Sequence, residues 1–325
     1  VAAISPDGAT WTNTTLTSST TWIKSAANDS GVICAIAYSS SAANTGVLGT
    51  TTYANTSNAI SPSVVGLPYD MVAAAPTDAN QYLMFKNTSE GFYFNGSAIT
   101  KITDGDYPAT TVRGIVYLDS TFYVMDSSAK IYGSDLGNPS SWNALNFIIA
   151  HIEPGAGVAI AKTANYLAAF KEWSTEFFYD AGNPSPGSPL SPVLNNFTLI
   201  GCASGASVAQ VDKYTFWMSQ TRQRGRQIHM MVGDQQQAIS TPDVERIIGL
   251  YSLTATNVKA FGLRIAGHAF YCLSLTDSNI SLVCDVENQS WYQWTSLTLN
   301  NTSSSVSSIT RTDNVATVTT SSAHG

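Results

Sequence analysis

Charge is scarce in this chain: only 11% of its 325 residues are Asp, Glu, Lys or Arg. With 15 basic against 22 acidic residues the formal net charge is −7, which excludes a surface built throughout to grip nucleic-acid phosphates. Long apolar runs are missing too. The longest, NFIIA, YLAAF and MVAAA, fall far short of the roughly 20 residues a membrane-spanning helix needs, and no charged start followed by an apolar stretch marks a signal peptide. Four cysteines make no disulfide framework and no pair has C-x-x-C spacing, which argues against zinc-ribbon and dithiol redox chemistry. His151, His229, His268 and His324 are scattered, with no partner at metal-ligand spacing, and are read as solvated or singly bonded. No G-x-S-x-G elbow, phosphate loop or dinucleotide fingerprint is present, so neither an enzyme nor a cofactor is expected.

Ser, Thr, Asn and Gly make up most of what is not apolar, which suits many short strands joined by turns. Six segments share one form, an apolar strand, a polar turn and a strand ending in aromatics: GVICAIAYSS, DMVAAAPTDANQYLMF, RGIVYLDSTFYVM, GVAIAKTANYLAAF, SVAQVDKYTFWMS and KAFGLRIAGHAFYCL. With Val32, Val72, Ile115, Val158, Val208 and Phe261 taken as equivalent, they recur at intervals of 40, 43, 43, 50 and 53 residues, the period of propeller blades. Second hairpins such as GFYFNGSAITKI and ISLVCDVENQSWYQW supply outer strands. The expected fold is therefore an all-β propeller of four-stranded antiparallel blades, six favoured and seven possible. It spans residues 1–298, followed by a polar linker and the start of a further β module at 299–325, with the chain cut from a longer protein. One helix is expected around Asp243–Leu250, opened by Thr241 and Pro242, with Val244, Ile247 and Ile248 on one face.

The opening SPDGATW, Ser5 to Trp11, resembles a sialidase Asp-box but lacks one residue between Asp7 and Gly8. It reads as a hairpin turn, like SDLGNPSSW and CDVENQSW further on, with Asp bonding backbone donors and Trp covering the hairpin. Glu172 and Glu176 are the nearest pair of carboxylates for glycosidase work, on one face of a half-buried strand with Trp173, Phe177 and Tyr179 opposite. Cys272 and Cys284 flank a turn at Asp277–Asn279, where a disulfide is geometrically possible but free thiols are favoured. The one basic cluster is TRQRGR, whose Arg222, Arg224 and Arg226 on a hairpin tip form a candidate contact for an acidic partner.

In order, GFYFNGSAITKITDGDYP, VRGIVYLDSTFYVM, IYGSDLGNPSSWNALNF, LAAFKEWSTEFFYDAG, GCASGASVAQVDKYTFWMSQTRQRG, QQQAISTPDVERII and CDVENQSWYQW resemble the packaged DNA stabilization proteins of short-tailed bacteriophages. The resemblance runs from about Gly91 to Trp294; Gly137 and Asn138 depart from the Asn-Asp pair often found before Pro139. It implies a virion tail protein, assembled in the host cytoplasm, that forms a ring with itself, commonly a hexamer, below the portal. Such a hub or nozzle retains packaged double-stranded DNA, lets it pass without sequence-specific binding, and meets a portal or adaptor protein and tail spikes or fibres, with no membrane partner. The alternative is a glycan-binding or glycan-cleaving propeller, a tail depolymerase or a lectin.

Overall fold

Short apolar strands punctuated by Asp, Asn and Gly turns fold into antiparallel meanders, each strand pairing with the next in sequence. The computed structural model describes residues 70–294 with their side chains, except residues 77–80, 195, 224, 251–256, 266 and 279; outside that stretch only strand pairing is described. Within it stand five blades. The first has strands Asp70–Thr77, Asn80–Lys86, Gly91–Phe94 and Ile99–Lys101. The second has Val116–Leu118, Thr121–Met125, Lys130–Asp135 and Asn138–Ile149, and the third Gly157–Thr163, Tyr166–Lys171, Thr175–Asp180 and Leu190–Thr198. In the fourth the innermost strand is broken: Gly201–Cys202 and Ala209–Val211 both pair with Tyr214–Gln220, and a turn of 3-10 helix at Gly205–Ser207 separates them. Gln227–Val232 and Gln235–Ala238 complete that blade, and Val258–Ile265, His268–Leu275, Ile280–Asp285 and Ser290–Thr295 make the fifth.

The β-propeller of antiparallel blades is as expected, but among the described residues the blades number five, not six or seven. The unit expected at Gly31 falls on Thr20–Ala59, where four strands pair in sequence order but whose packing lies outside the described residues. SPDGATW, with Asp7 and Trp11, also lies outside them. The helix forms at Pro242–Leu250: the Val244 amide faces the Thr241 hydroxyl at 3.5 Å, Pro242 takes the first helical position, and Val244 and Ile248 are buried.

Blades stack face to face, and each consecutive pair encloses its own apolar core. Met84, Phe122, Val124 and Trp142 fill the first interface, and Tyr123, Met125, Leu167 and Phe178 the second. Phe170, Phe177, Trp217 and Met231 fill the third, and Phe216, Ile228, Tyr271 and Leu273 the fourth. The second strand of a blade lies between two such cores and is buried on both faces. TFYVM, YLAAF and TFWM are accordingly continuous apolar runs, because neither set of alternating side chains meets water.

A meander has two ends. The turns joining first to second and third to fourth strands lie at one end, and those joining second to third strands lie with the inter-blade loops at the other. Neighbouring inner strands run the same way, with Arg113 bridging Ala159 in parallel register, so the ends of successive blades combine into two opposite faces of the propeller. Gly114 makes that approach possible: its φ is +95°, and a Cβ there would overlap the Ile160 carbonyl oxygen.

Candidate functional site

The innermost strands of all five blades line a central cavity of about 630 Å³. Its charge is organised around Asp70. One carboxylate oxygen accepts from the Gly114 amide at 2.9 Å and faces the Lys86 ammonium at 3.3 Å, while the other lies 3.2 Å from an Arg113 guanidinium nitrogen. Lys86 is almost fully buried and also donates to the Val112 carbonyl, so this network clamps the first blade to the second. Two cations share the Asp70 carboxylate, and Arg113 Nε and Nη1 are buried without a hydrogen-bond partner; the network ties the two blades together.

The third blade carries a second buried pair, Lys171 and Glu176, 3.5 Å apart. Lys171 donates to the Ala150 and Glu153 carbonyls, and Glu176 accepts from the Ile152 amide at 3.0 Å. Glu172 lies before this strand, not on it, and Thr175–Phe178 is buried on both faces, not half-buried. The two carboxylates thus do not converge on a rim pocket, because the lysine holds Glu176 in the interior.

The basic cluster occupies the second-to-third turn of the fourth blade, between Tyr214–Gln220 and Gln227–Val232. Arg222 projects into solvent with its guanidinium carbon 5.7 Å from the Trp173 ring centroid and a nitrogen 3.9 Å from Glu153. Arg226 is half-buried, and Arg224 lies outside the described residues. Beneath Arg222 is a slot of about 430 Å³ walled by Trp173, Leu199, Ile200 and Ala238, with His229 also lining it. Burial pushes the His229 imidazole down to about 4, and its Nδ1 has no hydrogen-bond partner. The slot can therefore take an apolar group below and an acidic one at Arg222. The sequence pointed to the arginines but not to Trp173 or Leu199, which come from the preceding blade and the inter-blade loop; the only local sign was a tryptophan in the turn KEWS.

The other singled-out residues have plainer roles. His151 is exposed and contacts the Ile149 carbonyl at 2.9 Å, and His268 lies 3.4 Å from Asp285; His324 is outside the described residues. His229, by contrast, is buried against Trp217, not solvated. Asp285 accepts from the Glu287 and Asn288 amides, and the Trp142 and Trp291 indoles donate to the Pro139 and Ile239 carbonyls, as a turn role requires. Cys272 and Cys284 are free thiols: Cys272 pairs with Val283 and Cys284 with Tyr271, so the two point to opposite faces of the sheet. Among the described residues no cluster of His, Cys, Asp and Glu could hold a metal ion, and no helix is long and apolar enough to cross a membrane.

Compared with known proteins, residues 16–315 match the family model described as bacteriophage P22 Gp10, beta-propeller. No curated protein matches the chain in sequence. Among solved structures it is similar to PorZ, a surface component of the type-IX secretion system of Porphyromonas gingivalis, at 9% identity and a TM-score of 0.48, over 87% of this chain and 34% of that one. It is also similar to BBS1N, solved in complex with ARL6DN, at 10% identity and a TM-score of 0.48, over 89% of this chain and 84% of the other. The chain thus spans about a third of the length of PorZ, and neither likeness bears on function.

Proposed function

Since the chain belongs to the family of the bacteriophage P22 Gp10 β-propeller, a family of phage structural proteins that stabilise packaged DNA, we propose that it is a tail hub or nozzle. In this reading several copies, commonly six, form a ring below the portal, retain the genome and receive tail spikes or fibres. The observation that carries it is the family match over residues 16–315. Two physical features support it. Asp70 and Glu176 are each held by a buried lysine of the same chain, which commits these carboxylates to rigidity. A net charge of −7 lets DNA pass without adhering. Residues 1–298 would form the hub and 299–325 the link to a further module. The protein acts by its surfaces, not by catalysis, with Arg222, Arg224 and Arg226 as contacts to an acidic neighbour.

The test is DNA retention in assembled particles. Replacing the three arginines together by Ser should give particles that package DNA and then leak it, more so at high salt, where the remaining contacts are screened. Normal retention at low and high salt removes these arginines from the interface. Full retention in particles lacking the protein altogether overturns the hub reading.

A further inference from the structure

We propose that copies of this chain join head to tail, with the Leu136 tip of one propeller seated in the Arg222 slot of the next. The inference rests on the ring reading above and deepens it by naming the two surfaces.

Leu136 is 77% exposed at the end of a two-residue turn between Lys130–Asp135 and Asn138–Ile149. The turn is held rigidly: the Gly137 amide donates to the Ser120 carbonyl at 2.6 Å, and the Ser141 hydroxyl donates to Asp135 at 2.6 Å. Because the turn backbone is already held, docking the leucine costs little backbone freedom. Around it on the same face stand the carboxylates of Asp135, Asp119 and Asp180.

The slot supplies the complement. It is apolar at Trp173, Leu199 and Ile200, and at its mouth the largely exposed Arg222 lies 3.9 Å from Glu153, which also lines the slot, on a hairpin tip that carries Arg226 as well. Leu199 is 58% exposed there, so the chain leaves the wall of the slot uncovered. Its volume of about 430 Å³ exceeds what one leucine fills, which leaves room for the turn to enter with it. An apolar knob ringed by acids suits an apolar hole with an arginine at its mouth. The acids around Leu136 and the arginine at the slot point to a second copy as the occupant.

The two surfaces also lie where repeated assembly needs them. Leu136 is on a third-to-fourth turn and Arg222 on a second-to-third turn, hence on opposite faces of the propeller. Such a contact cannot be two-fold; each copy offers one surface to each of two neighbours. A heterologous contact of this kind closes into a ring when the rotation per step divides a full turn with no rise along the axis, and otherwise runs on as an open filament.

The experiment pairs a cross-link with a charge exchange on the whole chain. Leu136→Cys with Leu199→Cys in one chain should give an oxidation-dependent ladder of cross-linked oligomers, absent from either single variant. Both sites are exposed, so the fold should survive, as thermal melting would verify. In sedimentation, Leu136→Glu should weaken self-association about tenfold or more, the scale of losing a buried leucine. Asp135→Arg and Arg222→Asp should each weaken it roughly fivefold or more, and the two together should recover part of the loss, the remainder reflecting the Ser141 bond that Asp135 gives up.

A chain that stays monomeric at its highest soluble concentration overturns the proposal. So does an oligomer that neither cross-links at these positions nor responds to the exchanges, although the ring reading then stands on other surfaces. If Trp173→Ala alters only capture by a portal or adaptor protein and leaves self-association intact, the slot belongs to that partner and the proposal fails. If the cross-link forms but particles without the protein keep their DNA, the contact stands and the hub function falls.

Discussion

Single side chains in this molecule do more to tie blades together than to do chemistry. Lys171 is the clearest case, since it satisfies two backbone carbonyls and Glu176 from a fully buried position. Lys171→Met should cost about 3 kcal/mol or more in urea denaturation, because Glu176 is left buried and unmatched, whereas adding Glu176→Leu should recover only part of it, since the Ala150 and Glu153 carbonyls and the Ile152 amide stay unpaired. His229 makes stability depend on pH. Its folded pKa of about 4 lies below the ordinary value of 6.5, so the unfolded chain takes up a proton first. The contribution is full above about pH 6.5 and is lost as pH falls toward about 4. His229→Phe should keep the pH 7 melting temperature within a few degrees, since Nδ1 has no partner to lose, and should flatten the decline between pH 6.5 and 4. The thiols are silent at neutral pH: burial pushes Cys202 and Cys284 up to about 12 and Cys272 up to about 11.

Elements were legible in the sequence wherever local chemistry decides them. The hairpins of the five described units and the helix at Pro242–Leu250 follow from turn residues and apolar periodicity. The Asp285 and Trp142 turns likewise followed from an acidic residue and a trailing Trp. What was not legible depends on distant chain. Period-2 reasoning made Thr175–Asp180 half-buried, but a blade inside the stack has neighbours on both sides. The slot under Arg222 draws walls from two blades and a loop, which no local window unites. The closeness of the inner strands was equally hidden, and Gly114 offers its test. Gly114→Ala should lower stability by about 3 kcal/mol, since φ and space both oppose a side chain. Gly105→Ala, with nothing within 4 Å, should change it by less than about 0.5 kcal/mol in the same thermal melts.

At the scale of the whole molecule, composition and repeat period announced the architecture, and only the count of blades came out differently. Counting from sequence treats every unit alike, whereas the described stack holds five. The family assignment, read from an ordered series of short motifs between Gly91 and Trp294, agrees with the match over residues 16–315. Function of this kind leaves little trace in any one residue, because docking surfaces are assembled from turns that sit far apart in the chain. The four separate cores between blades have a mechanical consequence. A body built from sheets bonded only to their neighbours is a laminate: damage in one layer is felt at two joints and not at the rest. Under load, such a body yields by delaminating at its weakest joint, and the remaining layers go on bearing it.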